Sequence, residues 1–82
     1  MVMVEVFVPV FDTEYDFKLD EYAQVNVIID EIAEMVCRYE QRVLVDSTEQ
    51  FVLCDRDSKV VFDKSYNLHG YGIKNGARLM LV

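Results

Sequence analysis

The chain has 82 residues, with 15 acidic and 8 basic side chains, a net charge of −7 and a hydrophobic share of 52%. This length allows a single domain over residues 1–82, and a domain so small needs a well-filled core. The acidic balance has no basic stripe to counter it, which argues against nucleic acid as a partner because phosphates would be repelled. We interpret the charge as a source of solubility, or as attraction to a basic protein partner.

Neither a membrane span nor a signal peptide is indicated. The sequence lacks any uninterrupted apolar run near the ~18–20 residues that cross a bilayer. Its first segment, MVMVEVFV, alternates, contains Glu5 and has no basic residues of the kind that begin a signal peptide. We therefore expect a cytoplasmic protein without direct membrane insertion.

The first nineteen residues predict a β-hairpin. Residues 1–11 have β-branched side chains at period two and are apolar on both faces, which is typical of a central strand, although Pro9 should weaken pairing near it. Asp12–Glu14 supplies turn chemistry. Tyr15–Leu19 then alternates apolar and charged residues, as a half-buried strand does.

Residues 22–41 have the period of an amphipathic helix. Glu34 and Arg38 are spaced to form an ion pair on its polar side. No strong capping residue precedes the helix, so we expect tertiary packing or a less obvious turn to fix its start. The helix should end near Gln41. The apolar stripe consists of Val25, Ile28, Ile29, Ile32, Met35, Val36 and Tyr39.

The segments after the helix are shorter. Val43–Val45 is ambiguous and could be an extended lead-in, and Asp46–Gln50 reads as a polar loop. Phe51–Cys54 and Val60–Phe62, separated by the turn Asp55–Ser58, predict a second hairpin.

The last third predicts an irregular loop followed by a strand. The loop should contain one helical turn, with Leu68, Tyr71 and Ile73 directed inward. Gly72 and Gly76 are candidates for positive φ, and residues 78–82 form the strand. The order of strands around one helix predicts a two-layer α+β domain.

The residues that could carry chemistry are sparse. Cys37 and Cys54 form no CxxC pair, and one histidine cannot complete a zinc site, so we expect free thiols, with a disulfide as the alternative. His69 is expected to be exposed or to tie its loop. The carboxylate pairs Asp20–Glu21 and Asp30–Glu31 are expected on solvated faces. We therefore predict no enzyme activity, no metal and no cofactor.

The closing residues, NLHGYGIKNGARLMLV, are similar to the last loop and strand of ubiquitin. The resemblance rests on the spacing of Leu68, Tyr71, Ile73, Leu79 and Leu81, and on a helix stripe resembling that of ubiquitin. It implies an α+β ubiquitin-like β-grasp fold, with a mixed sheet of four to five strands packed on one amphipathic helix.

Within that superfamily the chain resembles the small bacterial YukD/EsaB group. The shared features are the strand pattern YDFKL-x-x-Y and the closing pattern Gly72, Ile73, Asn75, Gly76, Leu79, Leu81. The turn Asp55–Ser58 and its flanks are longer than that group implies. The resemblance implies a cytosolic accessory of a type VII secretion system, without catalytic residues.

Two other uses of this fold are disfavoured. Conjugation and sulfur transfer act through a flexible Gly-Gly tail, because a Cβ would clash in the activating enzyme's channel. This sequence reads Met80-Leu81-Val82 at its end, which we expect to lie inside the sheet. Ferredoxin-type electron transfer needs four cysteines. An adaptor unrelated to secretion is the remaining alternative.

The prediction that remains is protein binding through one sheet face. If the even-numbered valines of the first strand face the helix, the opposite face carries Met3, Glu5 and Phe7. Methionines in such a surface adapt to partners. The third strand adds either Val52 and Cys54 or Phe51 and Leu53 to this face, and the resemblance to ubiquitin-like proteins favours Val52 and Cys54. We predict a partner-binding patch, with a homo-oligomer or coverage by loops as the alternatives. Its residues are Met3, Phe7, Val52, Cys54, Met80 and Val82.

Overall fold

The computed structural model describes residues 1–41 and 51–82. A four-stranded mixed sheet has the order β2-β1-β4-β3. β1 pairs antiparallel with β2 and parallel with β4, and β3 pairs antiparallel with β4. The predicted α+β arrangement of a mixed sheet and one helix is confirmed, while the predictions for Val43–Val45 and Asp46–Gln50 lie outside the described residues. The elements are β1 (Val2–Val8), a 3-10 turn (Pro9–Phe11), β2 (Thr13–Leu19), α1 (Val25–Glu40), β3 (Leu53–Asp55) and β4 (Ala77–Leu81).

The core forms between the sheet and α1. The valines at positions 2, 4, 6 and 8 are buried on one face of β1, as the alternation predicts. Leu79 and Leu81 of β4 and Phe17 and Leu19 of β2 extend this face on either side. Burying large apolar side chains is the main favourable term in folding such a domain.

β1 is shorter than the pattern predicts. It ends at Val8, and Pro9 opens a 3-10 turn that Asp12 closes with a left-handed φ of 49°. The proline ring fixes φ and removes a donor, so the ladder cannot continue through it. Val10, expected on the inner face, is consequently 69% exposed.

The start of α1 is capped by backbone groups from another segment. Gln24, the residue before the helix, makes no capping hydrogen bond with its side chain. The amide of Val25 donates to the carbonyl oxygen of Tyr66 at 2.8 Å, and that of Asn26 donates to Lys64 at 3.0 Å. Amides at a helix start have no partner within the helix, so these contacts satisfy them. The expectation that tertiary packing fixes this start is confirmed.

Five of the seven residues in the predicted helix stripe are buried, while Met35 is half-buried and Tyr39 is exposed. Tyr39 is 64% exposed and stacks on Tyr15 with ring centres 5.9 Å apart. The predicted pair of Glu34 and Arg38 forms at 2.7 Å. α1 ends at Glu40, and Gln41 takes a left-handed φ of 53° in place of the usual glycine.

The second predicted hairpin lacks a full second strand at Val60–Phe62. Val61 forms only an isolated bridge with Cys54, although the amide of Phe62 donates to Leu53 at 2.9 Å. Lys59 has a φ of 61°, which turns the chain sharply. Val61 is 61% exposed whereas Phe62 is buried, so this segment contributes one side chain to the core and does not form a full strand.

The loop over residues 63–76 packs its apolar residues inward as predicted. Leu68 is fully buried, and Tyr71 and Ile73 are half-buried against the core. Gly72 and Gly76 have φ values of 73° and 88°, which glycine adopts without strain. Consecutive turns take the place of the expected helical turn.

Asn75 and Gly76 fasten the start of β4 to β1. The amide of Met3 donates to Oδ1 of Asn75 at 2.9 Å, and the amide of Gly76 donates to the carbonyl oxygen of Met3 at 2.8 Å. These two bonds continue the parallel pairing of β1 with β4 beyond Ala77. The Asn-Gly pair therefore sets the register of the central strands as well as making a turn.

We expect Asn75→Ala to lower the free energy of unfolding by about 1 kcal/mol, because the amide of Met3 loses its acceptor. Asn75→Asp keeps an oxygen at that position and should stay close to the parent protein. Urea unfolding followed by circular dichroism measures both. Equal midpoints for the parent and Asn75→Ala would contradict the role given to this side chain.

Candidate functional site

The sheet face that points away from α1, called the outer face, brings the predicted patch residues together. Met3 and Phe7 project from β1, and Phe7 is in register with Met80 of β4. Cys54 pairs with Met80 across β3 and β4. Beyond β4, Val52 and Val82 exchange backbone hydrogen bonds of 2.7 and 2.9 Å. Residues directly opposite in a sheet share a face, so Val52 and Cys54 lie on the outer face.

These side chains differ in how much surface they offer. Met3 and Val82 are each 48% exposed, whereas Phe7, Val52 and Met80 are half-buried. Cys54 is only 6% exposed, and its thiol lies 3.6 Å from the carbonyl oxygen of Met80. Burial raises the pKa of this thiol. Cys54 therefore lies on the predicted face but presents almost no surface to a partner.

Arg56 is the outer-face residue that the sequence reasoning missed. Its guanidinium lies 4.8 Å from the centre of the Phe7 ring. It also forms an ion pair with Glu14 at 2.7 Å and approaches Glu5 at 3.8 Å. Arg56 is two positions beyond Cys54, so period two alone could have assigned it to this face.

Glu5 and Glu14, the two carboxylates beside Arg56, have pKa values shifted in opposite directions. The hydrogen bond and charge of Glu14 raise the pKa of Glu5, whereas the hydrogen bond from Arg56 lowers the pKa of Glu14. The Arg56 interaction therefore stabilises the folded state above the ordinary pKa of glutamate, and this contribution is lost as the pH falls through the lowered pKa of Glu14.

The charged residues divide the outer face into two unequal parts. Glu5 lies between Met3 and Phe7 along β1, and Arg78 precedes Met80 along β4. Met3 is thereby separated from the other apolar residues. The continuous part, called the apolar cluster below, consists of Phe7, Val52, Met80 and Val82.

The other candidate residues have structural partners. The ring centres of His69 and Tyr22 are 4.8 Å apart, and the amide of His69 donates to the carbonyl oxygen of Glu21 at 2.9 Å. His69 thus ties its loop, as expected. The Glu21 carboxylate was expected on a solvated face, but its side chain is only 17% accessible, and it lies 2.8 Å from the amino group of Met1, which lowers the pKa of Glu21.

Chemistry at a metal or at a thiol pair finds no support in the described residues. Cys37 is half-buried and Cys54 is buried, and both are free thiols. Within residues 1–41 and 51–82, no three histidine, cysteine, aspartate or glutamate side chains cluster as metal ligands. In the same ranges, no helix combines the length and apolar character needed to cross a bilayer.

No protein-family model matches the chain, and no curated protein matches it. Solved structures do match it closely in shape. The EccD5 ubiquitin-like domain from Mycobacterium xenopi superposes with a TM-score of 0.77 at 21% identity, over 99% of this chain and 91% of that one. The ubiquitin of Caldiarchaeum subterraneum gives a TM-score of 0.70 at 12% identity, over 98% and 89% of the two chains. The chain has the ubiquitin-like β-grasp fold.

A component of the MycP5-free ESX-5 inner membrane complex contains a similar domain. The TM-score is 0.77 at 22% identity, covering 99% of this chain but only 20% of that component. Identities this low relate the folds alone, and they transfer no residue roles to this ubiquitin-like chain.

The arrangement of Glu5, Glu14 and Arg56 on the outer face predicts two distinct glutamate titrations. Glu5 should titrate above the ordinary range and Glu14 below it, and Glu14→Gln should bring the pKa of Glu5 down because the neighbouring charge is removed. Carboxyl carbon shifts followed by NMR against pH measure both groups. Arg56→Met is the matched control, since it should raise the pKa of Glu14. Identical titrations of Glu5 and Glu14 in the parent protein would contradict the arrangement.

Proposed function

We propose that this chain is a non-catalytic protein–protein interaction module and a cytosolic accessory or regulatory component of a bacterial type VII secretion system, of the YukD/EsaB kind. The observation that carries the proposal is the apolar cluster, exposed on a ubiquitin-like fold. Val82 is 48% exposed beside the half-buried Val52 and Met80. An apolar sheet face rimmed by charges is the usual form of a protein-binding surface.

The secretion setting rests on the resemblance to the YukD/EsaB group, and the shared fold of EccD5 and of a component of the ESX-5 inner membrane complex is compatible with it. A partner that meets the outer face would place apolar side chains on Val52, Met80 and Val82. The methionine adapts its shape to such a partner. Arg56 covers Phe7, so contact with that ring would have to include the guanidinium or displace it.

Two alternatives lead to different experiments. An adaptor unrelated to secretion would use the same cluster with other partners. A ubiquitin-like modifier or sulfur carrier would need a Gly-Gly pair, and the 82 residues contain none. Incubation with ATP and an activating enzyme, followed by mass spectrometry, should yield no adenylate or thiocarboxylate. The appearance of either would favour the carrier.

Export of WXG-type substrates tests the secretion role. Deleting the gene should reduce export, and the parent gene should restore it. Met80→Glu combined with Val82→Glu should fail to restore export, because charges on the apolar cluster oppose burial against a partner. Val27→Glu is the matched control, since Val27 is 44% exposed on α1, away from the outer face.

The outcomes test the secretion role and the apolar cluster separately. Unchanged export after deletion would contradict the secretion role. Full restoration by the doubly charged variant would contradict the assignment of the apolar cluster. Neighbouring genes for an FtsK-type membrane ATPase and WXG-type substrates would favour secretion over an unrelated adaptor.

A further inference from the structure

The two edges of the sheet are built differently. β3 has only three residues, and its outer side is met by the returning chain, where the amide of Asp55 donates to Val60 and that of Phe62 donates to Leu53. β2 has seven residues, and its register with β1 runs without interruption from Val2 opposite Leu19 to Val8 opposite Thr13. In the described part of the chain, no strand pairs with the other side of β2.

An edge of this kind can accept a further strand. In an antiparallel ladder, backbone groups point alternately toward and away from the neighbouring strand, so half of those in β2 face outward. Proteins usually protect such edges with prolines, bulges, short strands or charged side chains, above all lysines. β2 has no proline and no bulge, and its charged residues are Glu14, Asp16 and the single lysine Lys18, of which Glu14 and Lys18 can pair with one another across two copies. The geometry is that of a site for strand addition.

We propose that β2 pairs antiparallel with β2 of a second copy, about a two-fold axis that passes between the two copies of Asp16. The strand sequence TEYDFKL is complementary to its own reverse. In this register Glu14 faces Lys18 of the other copy, and this pair occurs twice. Tyr15 likewise faces Phe17. Glu14 and Lys18 are exposed on the outer face, where opposite charges across two strands attract.

The neighbouring registers are less favourable. Side chains on one face must stay on that face, so the axis can move only by whole residues. An axis at Tyr15 would set Glu14 against Asp16 twice. An axis at Phe17 would pair Asp16 with Lys18, but it would shorten the ladder and set Glu14 against Asp20. The register about Asp16 pairs the whole strand. Within β2 its one repulsive contact is between the two copies of Asp16, and Asp12 faces Asp20 just beyond the strand ends.

The pairing should be weak. One strand from each copy buries less than the ~1,200 Å² of a standard stable complex. Each copy also carries a net charge of −7, which opposes association. Arg56 already holds Glu14 at 2.7 Å, but a carboxylate accepts up to about four hydrogen bonds and can take a second cation. The dimer should therefore form only toward the millimolar end of concentration.

The assembly would join two four-stranded sheets into one. A two-fold axis perpendicular to the sheet keeps both outer faces on the same side. The two apolar clusters would then face the same direction and could meet a partner that also has two copies. The proposal itself needs only the edge of β2, so it does not depend on what the outer face binds.

Sedimentation equilibrium from micromolar to millimolar concentration tests the proposal. The parent protein should dimerise weakly, and Asp16→Asn should tighten the dimer several-fold by removing the central repulsion. Lys18→Glu should weaken it about tenfold, since two attractive pairs become repulsive. Combining Glu14→Lys with Lys18→Glu exchanges the charges and should restore dimerisation.

Lys59→Glu is the matched control, because it makes the same charge change at an exposed position beyond the other edge. Circular dichroism verifies that each variant folds. Amide hydrogen exchange should show protection of alternate β2 amides that increases with protein concentration. A monomer at every concentration would overturn the proposal. So would a dimer that Lys18→Glu leaves unchanged, or one that Met80→Glu with Val82→Glu abolishes.

Discussion

The parallel pairing of β1 with β4 is the interaction on which the rest of the structure depends. β1 lies between β2 and β4, so its even positions line the core and its odd positions form the middle of the outer face. Parallel strands need a long connection, and the connection from β1 to β4 includes β2, α1 and β3. Asn75 and Gly76 end that connection by bonding to Met3. A slip at this point would displace the core and the outer face together.

The loop before β4 stabilises the helix as well as the strand. Its carbonyl groups at Lys64 and Tyr66 accept from the first amides of α1, and Leu68 is fully buried in the core. Asp63 shapes this loop by accepting from the amide and hydroxyl of Ser65, and those bonds lower the pKa of its carboxyl group. The loop therefore replaces the side-chain cap that Gln24 does not provide, which explains how a helix with a weak start signal begins at a defined residue.

Period two and period 3.6 predicted which face most residues occupy, because those periods follow from backbone geometry alone. The outward preference for Val52 came from the resemblance to ubiquitin-like proteins, whereas the two periods placed the valines of β1 and most of the apolar stripe of α1 against the core. They could not predict how deeply Cys54 is buried, or that Glu21 is shielded, since both depend on segments distant in sequence. Period two could have assigned Arg56 to the outer face, but it could not predict the contact with Glu14, which joins positions 42 residues apart.

The charges on the outer face affect both proposed surfaces. Arg56 contacts both Glu14 and the ring of Phe7, and so links the edge strand β2 to the apolar cluster. A cation from a second copy that approached Glu14 would compete with Arg56 or share the carboxylate with it. Displacing Arg56 would in turn uncover the ring of Phe7 and expose more of the apolar cluster. Pairing at the edge does not require binding on the face, but both would involve the same arginine, and neither contact needs a change in the backbone.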